Sequence, residues 1–270
     1  MQSLPLSAIV VVKHNPRVCG GDSQGENTLM STNVKFFDTF MVFTMQAPVN
    51  NADIHKKIMS IIIQDDLDKK SPRQDAGVLF KILDRAKVHG NTNTEKIVLL
   101  VRHKAHVQFA SIERNVEIVR KFPVEIDSNT PIAFSCDMAA VYTPMETLDS
   151  KEQEALEFLG FSAKKVSSGK LVRIPDSIIK EKIVEKFARK GVSIVEDSVV
   201  VANRYNHNVK KSTTPAVTFY ALADVSAGNV GNFSNVVYNG IGKGLNYGLG
   251  MINIIDENDY NEVRQEYYID

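Results

Sequence analysis

Five glycines fall within eleven residues near the end of the chain, Gly240, Gly242, Gly244, Gly248 and Gly250, with Lys243 among them. Such a backbone can turn several amides toward one anion and let it approach with no Cβ in the way. It is not a Walker loop, which needs Lys then Ser or Thr after its last glycine. Nor is it a dinucleotide fingerprint, because it leads into a strand-like run close to the C-terminus. A plain glycine hairpin accounts for the bare pattern as well. The other groups suited to chemistry near neutral pH are six histidines, His14, His55, His89, His103, His106 and His207. An imidazole is largely neutral at pH 7 and can accept a proton there. Of these only His55 lies in a patterned context, beside Ile54 at the start of a periodic helix. Taken alone, a histidine on an exposed helical face is ordinarily just solvated.

The elements that must hold these groups can be read from periodicity. Phe36 to Met45 is a strand-like run, and Asn50 or Asn51 can cap a helix whose stripe is Ile54, Ile58, Ile61 and Ile62. Gly77 to Leu83, Lys96 to Arg102, Pro123 to Asp127 and Ile132 to Val141 are further expected strands. Beyond Pro144 the pattern gives a short helix over Lys151 to Phe161. A second amphipathic helix after Pro175 is ended by Gly191, and Phe233 to Tyr238 gives one more helical segment. Val192 to Val201, Ala216 to Val225 and Gly248 to Ile255 complete the set of strands. Each half runs strand, helix, strand, strand, so the expected fold class is α+β with two tandem ferredoxin-like (RRM-like) domains, over residues 36–145 and 146–270. Residues 1–35 fit neither and form an N-terminal extension.

The composition bounds the partners. The 270 residues carry 32 Lys plus Arg against 32 Asp plus Glu, so no bulk coat of nucleic acid or membrane is implied. The charge is segregated all the same. Between Phe161 and Lys190 lie nine basic residues and three acidic ones, whereas from Ile252 to the end six acidic residues face only Arg264. One anion-binding face would need such segregation, and a solvated helix with a solubilising tail would also show it. Two cysteines, Cys19 and Cys136, are too few for a disulfide framework or a zinc ribbon, and the apolar run Ala8 to Val12 is too short for a signal or a span. A cytoplasmic protein with no membrane partner is the expectation. Asp65, Asp66 and Asp68 lack the glycine and glutamate of a calcium loop, so neither a metal site nor a cofactor is expected.

Taken in order, several stretches resemble the CRISPR-associated RNA-processing endoribonucleases, in particular the CasE subunit of Cascade complexes. The glycine loop before the last strand is similar to that family's C-terminal signature. Ala52-Asp53-Ile54-His55 opens the first helix, Arg173-Ile174-Pro175 precedes the second, and Val217-Thr218-Phe219-Tyr220-Ala221 resembles the family's strand ahead of the last helix. The resemblance covers roughly Phe36 to Ile255. It implies that His55 is the catalytic base, that the partners are CRISPR repeat RNA and other effector subunits, and that DNA is met only indirectly through such a complex. It also implies RNA contacts from Lys170, Arg173, Arg204, His207, Lys210 and Lys211, the last four on a hairpin between two strands, and from Gly240, Gly242, Lys243, Gly244, Gly248 and Gly250. The chain departs from the family in four ways. Ala52 stands where a tyrosine is common, Phe134 to Asp137 has none of the expected arginines, Leu245 takes a commonly basic position, and residues 1–35 are an addition. Three functions follow for testing: an RNA-cleaving enzyme, an RNA-hairpin-binding subunit without cleavage, and a small-molecule enzyme using the loop for a nucleotide.

Overall fold

The branched and aromatic run at Phe36 forms β1 (Phe36–Gln46), and Asn50 starts α1 (Asn51–Ile61) behind it. The structure is a computed structural model and describes residues 35–63, 67, 75–88, 90–110, 115–124, 126, 131–144, 150–158, 160, 171–209, 212–225 and 229–267, all within one unit spanning Val34–Asp270. Residues 1–34 of the extension, including His14 and Cys19, and also Asp65, Asp66, Asp68, His89, Lys170, Lys210 and Lys211 lie outside the described residues. With β2 (Leu79–Val88), β3 (Asn91–Lys104) and β4 (Val116–Pro123), β1 makes an antiparallel sheet in the order β2-β3-β1-β4. That is ferredoxin-like order, although the β3–β4 connection carries no helix among the described residues. The side chains of Ile54, Ile58 and Ile61 are buried against Met41, Phe43, Phe80 and Leu99, each stabilising by about 1.5–3 kcal/mol.

β5 (Ile132–Ala139), expected to close the first half, belongs to the second sheet instead, paired with β10 (Ser212–Asp224) and β11 (Ile252–Ile254). The sheets therefore change over between Pro123 and Ile132, before the boundary expected at residues 145 and 146. The short strands β6 (Val141–Tyr142) and β7 (Val172–Arg173) pair beside it, and α2 (Ser150–Phe158) lies between them in sequence. The second sheet has the order β11-β5-β10-β8, where β8 is Ser193–Ile194, and β9 (Val200–Val209) extends β10 as a hairpin. Its helices α3 (Ile179–Ala188) and α4 (Val230–Asn239) cover one face through Ile183, Phe187, Phe233 and Val237, packed on Phe134 and Phe219. α5 (Glu257–Tyr267) lies on the opposite face, where Tyr260 is buried and its hydroxyl donates to the Ser198 carbonyl at 2.7 Å. Tandem ferredoxin-like domains are thus the observed fold class.

Three sequence expectations moved. The strand expected over Val192 to Val201 is broken by a turn holding Asp197 at φ 55°. The strand expected from Gly248 shortens to Ile252–Ile254, because Gly248 and Gly250 hold left-handed φ values of 87° and 78°. The strand expected over Pro123 to Asp127 lies earlier, as Val116–Pro123, an edge strand whose exposed, charged residues Glu117, Arg120 and Lys121 break the apolar alternation.

The two sheets are fastened through one buried arginine. Arg102, 1% exposed, donates from Nε and Nη2 to both oxygens of Asp38 at 2.8 and 2.6 Å. Its Nη1 donates to the carbonyls of Val237 and Ile252 at 2.8 and 2.7 Å, so a β3 side chain closes the end of α4 and the last strand. Beside it Leu79, Leu100 and Met251 form a small apolar core shared by both sheets.

Candidate functional site

Asn50 fixes the start of α1 in a reciprocal cap. Its side-chain oxygen accepts from the backbone N–H of Ala52 at 2.9 Å and of Asp53 at 3.1 Å, while its own N–H donates to the Asp53 carboxylate at 3.2 Å. His55 lies one turn further on, half-buried, with its ring 6.4 Å from that of Phe80 on β2. Ala52, at the position of the family's tyrosine, is buried. Lys56 is exposed and Lys57 half-buried on the same helix.

The glycine loop straddles the edge strand β2. Gly244 and Gly248, both left-handed, bracket a 3-10 turn at Leu245–Tyr247, and the loop is closed by Ile241 N–H donating to Gly250 O at 2.8 Å. Gly250 N–H in turn donates to Asp137 O at 2.6 Å, tying the loop to β5. A Cβ on Gly240 would come 2.7 Å from Leu245 and 3.2 Å from Leu79, and one on Gly248 would come 2.9 Å from Phe80. On Gly244 it would meet Leu249 at 2.9 Å, and on Gly250 the carbonyl oxygen of Ile241 at 2.2 Å. Four of the five glycines are therefore required by the chain's own packing. Gly242 differs: its φ is 83°, yet the nearest atom to an added Cβ is Met138 at 3.5 Å. An anion can approach the loop there without a clash.

His207 joins the three elements. Tyr247 O lies 2.6 Å from His207 Nε2, and a carbonyl only accepts, so Nε2 carries the hydrogen. The Asn51 side-chain NH2 packs 2.8 Å from the same nitrogen, but it can donate only to Nδ1, the acceptor of this tautomer, 3.5 Å away. Asn51 is itself held by Arg85, whose Nη2 donates to its Oδ1 at 2.7 Å. Burial lowers the His207 pKa, which keeps the ring neutral at pH 7. The first turn of α1 and the glycine loop are thereby brought side by side, and Phe80 adjoins both His55 and Gly248.

A cleft of about 640 Å³ opens beside this junction, lined by the α1 entry, Arg85, Tyr205, Asn206, His207 and Gly248, with Asp137 and Thr218 also in its wall. Thr218 Oγ1 donates to Asp137 Oδ1 at 2.5 Å, and Lys81 Nζ lies 3.4 Å from Asp137 Oδ2. Burial is the largest influence on Lys81 and works to lower its pKa, but Asp137, Tyr220 and Cys136 together outweigh it and the net shift is upward. At the other end of the loop Lys186 Nζ donates to Ala139 O at 3.3 Å and stands 3.9 Å from where a Gly242 Cβ would be. Its pKa is lowered by burial and by the neighbouring charges of Lys243 and Arg189. One end of the loop is thus cationic, and the other adjoins a carboxylate.

The residues expected in RNA contacts separate in space. Arg173 and Arg204 come together around Asp176, at 3.9 and 2.5 Å, beside a small pocket of about 100 Å³. Arg204 and His207 lie within β9 itself, not in a connection between strands, and His207 is turned into the cleft wall and buried. Sequence reasoning did not gather Asn51, Lys81, Arg85, Asp137, Tyr205 and Lys186 into one site. Only their meeting in space, across separations such as the 156 residues from Asn51 to His207, makes them a site.

A helix-borne imidazole, a neighbouring glycine loop and an interdomain cleft, on paired ferredoxin-like sheets, define a class of two-domain α+β proteins with a polar groove at the domain junction. Among solved structures, this chain is similar to CRISPR endoribonuclease Cse3 bound to a 19-nucleotide RNA, with a TM-score of 0.57 and 12% identity over 82% of this chain and 100% of that one. Thermus thermophilus Cse3 bound to an RNA representing a pre-cleavage complex gives 0.56 and 11% over the same shares. A CRISPR-associated protein from Thermus thermophilus gives 0.51 and 12%, again over 82% and 100%. No family model matches the chain, and no curated protein matches it. At these identities the shared property is the fold, and the resemblance read from the sequence holds at that level. None of the described helices is long and apolar enough to cross a membrane.

Proposed function

We propose that this chain is an endoribonuclease that binds the repeat hairpin of CRISPR precursor RNA, cleaves at the 3′ side of the stem without a metal, and keeps its product within an effector complex. The observation that carries this reading is the junction at which Asn51, His207 and the Tyr247 carbonyl set the helix bearing His55 against the glycine loop. The solved structures of similar fold include RNA-bound Cse3 endoribonucleases, which supports RNA as the ligand. His55 takes the proton from a ribose 2′-hydroxyl, and the 2′-oxygen attacks the adjacent phosphorus. The bond to the 5′-oxygen breaks, and that oxygen leaves with a proton taken from water. The products are a 2′,3′-cyclic phosphate and a 5′-hydroxyl. In this reading Lys243 and the amides at Gly242 hold the phosphate, and Lys56 and Lys57 supply further charge. Arg173, Arg204, Lys170, Lys210 and Lys211 contact the RNA backbone and stem. Other effector subunits are protein partners, and DNA is met only through the assembled complex.

One observation favours a second reading, a subunit that grips the hairpin without cutting it. Ala52 is buried where the family carries a tyrosine, so the donor to the leaving oxygen is not supplied from that position. A single experiment separates the two. Purified protein is incubated with repeat hairpin RNA from its own genome in EDTA. Cleavage that His55→Ala abolishes supports the enzyme. Tight binding with no product over hours supports the binding subunit, and cleavage that needs added magnesium or survives His55→Ala refutes the proposed mechanism.

A further inference from the structure

We infer that the cleft beside the glycine loop is a base-reading subsite for one unpaired guanosine next to the RNA stem, with the Asp137 carboxylate taking the Watson–Crick edge of the base. The inference rests on RNA being the ligand, as proposed above, and adds what the cleft itself holds. Four observations lead to it.

The volume comes first. About 640 Å³ lies within the ~300–1,000 Å³ of small-ligand sites, enough for a nucleotide and far too little for a duplex. Charge comes second: in the cleft wall the Asp137 carboxylate repels phosphate and the guanidinium of Arg85 is already engaged by the Val49 carbonyl and Asn51 Oδ1, so the backbone belongs at the other end of the loop, where Lys186 and Lys243 adjoin Gly242. The loop thus gives a bound nucleotide a direction, phosphate at Gly242 and base toward Gly248. Third, the carboxylate has acceptor capacity to spare. It accepts from Thr218 through one oxygen and faces Lys81 through the other, leaving about two of its four lone-pair sites. Lys81 also balances the charge brought into the cleft, and the backbone of Asp137 is fixed by Gly250 N–H.

The fourth observation is chemical. Guanine alone presents two adjacent donors, N1–H and the N2 amino group, on its Watson–Crick edge, which match the two oxygens of a carboxylate. Adenine and cytosine offer one donor next to an acceptor, and uracil offers one donor between two carbonyls. In a duplex that edge is already paired, so the base must be unpaired, as in most sequence-specific RNA recognition. Tyr205 lines the same cleft and supplies an aromatic surface, and Asn203, on the same strand face as Tyr205 and His207, is within the lining to meet the remaining edge of the base.

The test uses the full chain and a pool of RNA hairpins with one constant stem and randomised single-stranded flanks, selected by retention on the protein and sequenced. The parent should enrich guanosine at one flanking position by about tenfold or more, the discrimination a good bidentate contact gives. Replacing that guanosine by inosine, which lacks only the N2 amino group, should cost most of the gain. Asp137→Asn swaps one acceptor for a donor and should abolish the preference while total RNA retention changes by less than about threefold. Thr218→Val, which leaves the carboxylate in place but unoriented, should reduce it. It also serves as the second variant should Asp137→Asn unfold on thermal melting. Retention of the pool with no enrichment by the parent, or enrichment that survives both substitutions, overturns the subsite and leaves the RNA reading standing. No retention of any hairpin overturns the RNA reading itself and the subsite with it.

Discussion

Replacing two glycines of the loop by alanine separates packing from ligand approach. Gly250 sits at φ 78°, where an alanine pays about 1–2 kcal/mol for a left-handed backbone. Its Cβ would stand 2.2 Å from the Ile241 carbonyl oxygen, a backbone atom held by the same closure, so the chain must open to relieve the contact. Opening strains the bond from Ile241 N–H to Gly250 O and that from Gly250 N–H to Asp137 O, each worth about 1 kcal/mol. Gly250→Ala should therefore cost about 3 to 4 kcal/mol. Gly242→Ala carries only the backbone share, about 1–2 kcal/mol, because its Cβ has room. The two variants should differ by about 2 kcal/mol in urea unfolding followed by circular dichroism. In hairpin-RNA binding, Gly242→Ala should lose affinity severalfold while still folded, since its methyl group occupies the open approach to the loop. Equal destabilisation by the two substitutions would show that the loop is not locked by its own backbone, and the packing argument for four of its glycines would fail.

Removing the guanidinium with Arg102→Met strands the Asp38 carboxylate and two carbonyls in a dry interface, and should destabilise by about 3–5 kcal/mol in the same unfolding assay. The double variant Asp38→Leu with Arg102→Met should recover the share due to the stranded carboxylate but not that of the two carbonyls, and a double variant as unstable as the single one would refute the assignment. His103 is fully buried, with Thr39 Oγ1 2.9 Å from its Nε2 and Lys104 O 2.9 Å from its Nδ1, and burial lowers its pKa from 6.5 to about 4. Below pH 6.5 the unfolded chain takes up a proton that the folded chain refuses. The stability from the neutral ring is thus complete above pH 6.5 and should fall by about 3 kcal/mol on the way to pH 4. Melting curves across that range should be flatter for His103→Gln, and identical slopes would contradict the shift.

The sequence made the first helix, its asparagine cap and the helix ended by Gly191 legible, because their signals are local: a 3.6-residue stripe, a polar cap and a left-handed glycine. The position of β5 was not legible, since a buried apolar strand looks the same in either sheet and only its pairing with β10 and β11 assigns it. The glycine loop was found for a reason that only partly applies. Its spacing suggested access for an anion, whereas Gly240, Gly244, Gly248 and Gly250 are small to accommodate Leu245, Leu249, Phe80 and Ile241 O. His207 was placed on a basic hairpin by its neighbours in sequence, yet its ring turns inward to Asn51 and Tyr247 O. Asp137, a mere departure from the family's arginines in the sequence, becomes a cleft residue once Lys81 and Thr218 are brought to it from 56 and 81 positions away.

The most direct test of His55 acting on RNA held by the loop is a single-atom change in the substrate. Hairpin repeat RNA with one 2′-deoxyribose at the nucleotide before the scissile phosphate is mixed with the parent protein in EDTA, beside the all-ribose RNA. The all-ribose strand should be cut to a 2′,3′-cyclic phosphate while the deoxy strand stays bound and intact. Cleavage of the deoxy strand at the same bond would show a nucleophile other than the 2′-hydroxyl, and the role assigned to His55 would be wrong.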